Sequence, residues 1–254
     1  MARAVRLLKF KLTLAYDGGA YHGWQTQRSG RGVQDQVERA LAGLFPGKPQ
    51  VVGSSRTDAG VHARGLVAHF ELPAAEWRMS ARQLPLALNA LLPRDIRVCS
   101  ASRVPLAFHA RFDAIGKQYR YEVWNHPVMD PLRRTQSWHV PRPLDLAAMR
   151  LAAADFVGRH DFRAFTANRG AELKDPVRTV SRCEIHRQGP RFTFIIEGEG
   201  FLYKMCRGIV GTLVQIGYGR QPATAVTAIL AGRDRRQAGV NAPAHGLVLW
   251  RVRY

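Results

Sequence analysis

The chain has 254 residues, 46% of them hydrophobic and 22% charged, and a formal net charge of +19 from 38 Lys and Arg against 19 Asp and Glu. This is the composition of an ordinary globular protein, long enough for one large or two ordinary domains. An excess of positive charge implies polyanionic partners; no apolar run approaches the ~20 residues of a spanning helix and no signal-type apolar core opens the chain, which favours nucleic acid over a membrane.

Cys99, Cys183 and Cys206 are odd in number, far apart and set in apolar surroundings. They are expected to be buried, reduced thiols of a cytoplasmic protein, neither a disulfide framework nor a zinc site. The nine histidines lack metal-ligand spacing, so no metal is expected.

Residues 1–8 are basic and unpatterned, a frayed start. Phe10, Leu12, Leu14 and Tyr16 alternate with polar residues, the period of a half-buried strand. Asp17-Gly18-Gly19 breaks it, and an aromatic, amide-rich loop follows over 21–27. That loop either plugs an edge of the core or offers Trp24 and Gln25 to unpaired bases. Val33, Val37, Ala40, Leu41, Leu44 and Phe45 recur at helical spacing, with Asp35 in the first turn and Pro46-Gly47 as the stop. Short strand-like runs at 50–52 and 66–71 flank a polar stretch. Ser80 is placed to cap a helix striped by Leu84, Leu88, Leu91 and Leu92 and ended by Pro93. Residues 95–104 read as a strand.

The second half repeats the plan. A strand centred on Tyr119, Tyr121 and Val123 precedes an amphipathic helix over 144–157 and a polar loop over 161–175. A hairpin turns at Gln188-Gly189-Pro190, a helix spans 202–216, another starts near Pro222, and a strand closes the chain at 247–253. This pattern predicts a mixed α/β (α+β) fold of two similar αβ domains, 1–108 and 109–254. Each would be an antiparallel-rich sheet with helices on one face, and a cleft would separate them.

Chemistry is concentrated in three segments. Gly53-Ser54-Ser55-Arg56-Thr57-Asp58-Ala59-Gly60-Val61-His62-Ala63-Arg64-Gly65 lacks an apolar face and reads as a loop between strands. Asp58 is its only carboxylate, and neighbouring guanidiniums keep such an acid ionised. Turn chemistry is the plainer reading: Asp58 closes an Asx-turn or caps a helix while Gly60 takes positive φ. On the 202–216 helix, Met205, Cys206, Ile209, Val210, Leu213, Val214 and Ile216 form one apolar arc. Arg207 borders it beside a face containing Gly208 and Gly211. Glycine inside a helix is tolerated where another backbone or a ligand comes close. Arg207 therefore either reaches a carboxylate or snorkels from an ordinary core helix. In Lys117-Gln118-Tyr119-Arg120-Tyr121 both tyrosines point inward.

Together, Ser55 through Ala63, Lys117 through Tyr121 and Phe201 through Gly211 resemble the motifs of the TruA family of tRNA pseudouridine synthases. Tyr16-Asp17-Gly18, Tyr21-His22-Gly23-Trp24-Gln25 and Ala242-Pro243-Ala244-His245-Gly246-Leu247 extend the resemblance along nearly the whole chain. Ser55 departs from the glycine of many members. The resemblance implies a homodimeric isomerase, free of metal and organic cofactor, that forms pseudouridine at about positions 38 to 40 of the tRNA anticodon stem-loop, where the base must be everted. It makes Asp58 the nucleophile, pairs Arg207 with it, sets Tyr119 against the target base and gives Arg56 a part in displacing the nucleotide. Trp24, Gln25, His62 and Arg64 are further candidate RNA contacts. Attack of the carboxylate at C6 of uracil or C1′ of ribose both remain open. The rivals are a non-catalytic RNA-binding protein, indifferent to Asp58, and a metal-dependent nuclease, against which the single loop carboxylate argues. A Walker-type loop is absent because the Gly-Ser-Ser run lacks its Gly-Lys-Ser/Thr ending.

Overall fold

The computed structural model describes residues 5–167 and 175–254. The chain forms two compact units, one running through Ile115 and joined by Leu249–Tyr254, the other Gly116–Val248. Where the sequence divides at 108/109, contacts divide at 115/116, and the last strand returns six residues to the first unit.

In the first unit, β1 (Leu7–Tyr16), α1 (Val33–Leu44), β2 (Val52–Gly53), β3 (His62–Pro73), α2 (Leu84–Leu91) and β4 (Ile96–Val104) follow in order. β1 is central, antiparallel to both β3 and β4, and β2 pairs with β3. Alternation works as expected: Phe10, Leu12, Leu14 and Tyr16 are all buried. Phe10 lies opposite Phe70, and these rings gather with Phe45 and Trp77 at centroid separations of 4.2 to 6.3 Å. On the other sheet face Lys9 is buried, its ammonium donating to the carbonyls of Leu106 and Phe108 and pairing with Glu71 at 2.9 Å. A buried cation is tolerable when its donors are met in this way.

Several expectations in this unit are corrected. β3 begins at His62, four residues earlier than the pattern implied, because Ala63 still pairs with Tyr16. Ser80 does not cap α2; Gln83 occupies that position, Ser80 bonds the Gln83 side chain, and proline in the first turn sets the start. Leu91, placed on the buried stripe, is exposed. Cys99 is likewise exposed, whereas Cys183 and Cys206 are buried. The reason is a register shift between Thr13 and Leu14, which pair with Ser100 and Val98, so Cys99 is the unpaired residue of a bulge.

The second unit contains β5 (Gly116–Trp124), β6 (Trp138–His139), α3 (Leu146–Ala154), β7 (Gly158–Asp161), β8 (Val177–Gln188), β9 (Arg191–Gly198), α4 (Met205–Gly217) and α5 (Ala225–Gly232). β5, β9, β8 and β7 lie in that order, antiparallel throughout, with β6 parallel to β5. Asp145 caps α3 by accepting from the Ala148 N–H at 3.0 Å. Gly189, at φ +58°, makes the tight β8–β9 turn. The loop expected over 161–175 instead starts with the end of β7 and a 3-10 turn at Arg163–Phe165; its remainder over 168–174 lies outside the described residues. The chain ends in β10 (Leu247–Arg253), next to β3 in the first unit. A Cβ on Gly65 would sit 2.7 Å from the Trp250 carbonyl, which explains why glycine interrupts β3 there. Among the described residues no helix is long and apolar enough to cross a membrane.

Candidate active site

Between β2 and β3 the chain carries Arg56, Thr57 and Asp58. Arg56 is exposed, Asp58 half-buried and Thr57 buried. The Asp58 carbonyl accepts from the Val61 N–H at 3.1 Å, and Gly60 has φ +78°. Gly60 therefore takes the positive φ expected of it, and the turn is closed through main chain.

What fixes this loop is segment 16–24. The buried Tyr16 hydroxyl and Thr57 Oγ1 are 2.8 Å apart. Burial pushes the Tyr16 phenol far above its ordinary pKa, the Thr57 bond opposing, so it stays protonated. The Thr57 carbonyl accepts from the Trp24 N–H at 3.2 Å, and the Tyr21 carbonyl from Gly60 at 3.3 Å. Gly18 and Gly23 pack so closely that a Cβ would lie 2.0 Å from the Val61 oxygen and 2.3 Å from the Thr57 oxygen. His62 Nδ1 is 3.0 Å from both the Gly18 N–H and the Asp17 carboxylate. One ring nitrogen thus lies between the Gly18 amide and the Asp17 carboxylate. Farther out, the Tyr21 hydroxyl donates to Asp95 at 2.6 Å.

The candidate RNA contacts divide by exposure. Trp24 is 2% exposed, its indole wedged against Gly53, and His62 is 4% exposed. Of the two readings of the aromatic loop, the core plug describes Trp24. Gln25 and Arg64 are exposed, and the Arg64 guanidinium sits 4.3 Å from the Trp250 ring centroid.

In the second unit Tyr119 stands on β5 opposite Ile196, 8% exposed and edge-on to Phe201 at 5.2 Å. Tyr121 is fully buried and donates to the Pro243 carbonyl at 2.8 Å. Burial raises its pKa while the Arg207 charge opposes. Every residue of the predicted α4 arc is buried. Arg207 is half-buried; its Nε donates to the Ala242 carbonyl at 2.7 Å, and Ala242 N–H returns a bond to the Arg207 carbonyl at 3.0 Å. Its side chain is thus anchored to the 240–243 strap. The glycines have the predicted cause: a Cβ at Gly208 would meet the Phe165 oxygen at 2.9 Å, and one at Gly211 the Val240 oxygen at 1.6 Å. Among the described residues no group of three or more His, Cys, Asp or Glu is placed to hold a metal.

Sequence reasoning did not assign roles to Tyr16, Thr57 or Ala242. A usable signal existed for Tyr16, because alternation carries its hydroxyl into the core, where it needs a partner.

Residues 13–113 and 152–254 match a family model described as tRNA pseudouridine synthase. The chain is 44% identical to tRNA pseudouridine synthase A of Methylacidiphilum infernorum, over 96% of this chain and 95% of that protein. It is 45% identical to the protein of the same name from Geobacter sp. strain M21, over 96% and 98%. Against that from Syntrophotalea carbinolica the identity is 46%, over 96% and 95%.

Proposed function

Because the chain belongs to the TruA family of tRNA pseudouridine synthases, enzymes that isomerise uridine to pseudouridine in tRNA, we propose that Asp58 is the nucleophile of that reaction. We place its target at about positions 38 to 40 of the anticodon stem-loop, in a nucleotide that must leave its stack. The observation that supports Asp58 most directly is its position on a loop fixed from behind at Thr57, Gly60 and Val61. A nucleophile gains most when its approach to the reacting atom is set in advance.

The reaction breaks the C1′–N1 bond and makes a C1′–C5 bond. Asp58 adds either to C1′, displacing the uracil through N1, or to C6. The base turns, C5 bonds to C1′, the carboxylate is released, the C5 proton leaves and N1 ends protonated, so nothing is gained or lost overall. Arg207, held at Nε by Ala242, supplies the countercharge that desolvation of a carboxylate requires. Tyr119 faces the uracil, with its hydroxyl available for the C5 proton. Arg56, exposed beside Asp58, occupies the space of the everted nucleotide. Gln25 and Arg64 contact the RNA backbone or bases, while Trp24 and His62 support them from the core. The +19 charge supplies phosphate affinity, which weakens with salt, and two copies of the chain share one tRNA.

Incubation with unmodified tRNA and mapping of pseudouridine by position tests this reading. Asp58→Asn should fold, bind tRNA and lose at least ~1000-fold in turnover. Product from Asp58→Asn at the parental rate would end the nucleophile assignment.

A further inference from the structure

Much of the opening motif from Tyr16 to Trp24 packs against the 57–61 segment. Its two large aromatics after the strand, Tyr21 and Trp24, are buried. Its two inward glycines leave no room for a methyl group against the backbone of the 57–61 segment. Its one deeply placed hydroxyl, on Tyr16, meets Thr57 Oγ1 at 2.8 Å, and Thr57 immediately precedes Asp58. Thr57 is therefore held twice, by side chain to Tyr16 and by main-chain carbonyl to Trp24.

We propose that Tyr16 is a positioning residue for Asp58, acting through Thr57, and that segment 17–24 is a rigid brace for the nucleophile loop. This deepens the assignment of Asp58 and rests on it. Tyr16 touches no reacting atom. Its effect is to restrict the backbone from which the Asp58 carboxylate is presented, so its loss should lower turnover without weakening the tRNA complex. A buried hydroxyl pair serving stability alone would lower the melting temperature and leave the catalytic step untouched.

The experiment measures single-turnover rate, tRNA affinity and melting temperature for Tyr16→Phe, Thr57→Val, the double variant and Thr57→Ser. Each of the first two should slow the chemical step by about tenfold or more, since sub-ångström misplacement of a reacting group is expensive, with affinity unchanged. The double variant should be no slower than the slower single one, because both remove the same bond. Thr57→Ser, which keeps the hydroxyl, should restore most of the rate. Phe45→Leu, in the aromatic cluster with Phe70 and Trp77, serves as a destabilised control with normal turnover. A normal rate in Tyr16→Phe, a loss confined to affinity, or additive single effects would each overturn the proposal. Asp58→Asn run alongside separates the two failures. If Asp58→Asn is inactive while Tyr16→Phe is fully active, only the brace is wrong. If Asp58→Asn turns over normally, the nucleophile assignment is wrong.

Discussion

Asp58 and Arg207 stand on backbones immobilised by different means. The loop of Asp58 is held by directed polar contacts, the Tyr16–Thr57 hydroxyl pair, the Trp24 and Gly60 amides and the His62 ring. The helix of Arg207 is held by contact distance: Phe165 and Val240 carbonyls press on glycine faces, and the strap closes with the Arg207–Ala242 bonds. Hydrogen bonds tolerate a change of shape that keeps the donor. Close packing tolerates no added atom whatever its chemistry. Both regions should therefore respond to a single methyl at their glycines, and the first to isosteric changes of its hydroxyl pair as well.

The largest effect follows from that contrast. Gly211→Ala would bring a Cβ within 1.6 Å of the Val240 oxygen, and backbone must move to relieve it. Destabilisation should reach about 3 kcal/mol or more, at the upper end for overpacking, even though alanine is the better helix former. Denaturant unfolding checks this. A gain in stability would mean that the strap yields freely and is no brace.

Next is Arg207→Lys. Lysine keeps the charge but has no Nε–H in the guanidinium plane, so the bond to Ala242 is lost and the cation swings on a flexible stem. Turnover should fall ~10- to 100-fold, with tRNA affinity within a factor of about two, since the loss is of orientation rather than charge. Equal losses of rate and affinity would make Arg207 a phosphate contact instead.

How much of this was readable beforehand varies with the range of the interaction responsible. β1 follows from period-2 alternation, and the α4 glycines announced a close neighbour, backbone or ligand, which proves to be backbone. The bulge at Cys99 was not readable, because one unpaired residue reverses the alternation without altering composition. His62 to Gly65 looked like loop since glycine, arginine and histidine lack a strand pattern; pairing with β1 and the close approach of Trp250 override that. Ser80 carried the chemistry of a cap, yet proline in the first turn moved the start. Trp24 could stack on a base or fill a gap, and only the space beside Gly53 decides between them. Tyr16 and Thr57 are 41 residues apart, so neither reveals the other.

The smallest effect is a difference in acid sensitivity. In the first unit His69 is 5% exposed, and its Nδ1 accepts from the Ala110 N–H at 3.1 Å. Burial, then the nearby Lys9 charge, lowers its pKa to about 4 from the ordinary 6.5. Native His69 stays neutral where the unfolded chain already binds a proton, so its contribution is complete above pH 6.5 and is lost progressively as pH falls towards about 4. In the second unit the shift runs the other way: burial raises the Glu122 carboxyl, so falling pH neutralises a group whose charge was costly there. Protection factors of β1 and β3 amides, with the intrinsic exchange rate at each pH divided out, should therefore fall between pH 6.5 and 4.5 by more than those of β5 and β9. His69→Asn retains an acceptor for Ala110 and has no proton to gain, so it should flatten the first unit's response by a few degrees of melting temperature at most. If His69→Asn leaves the response unaltered, the acid-sensitive group of that unit lies elsewhere.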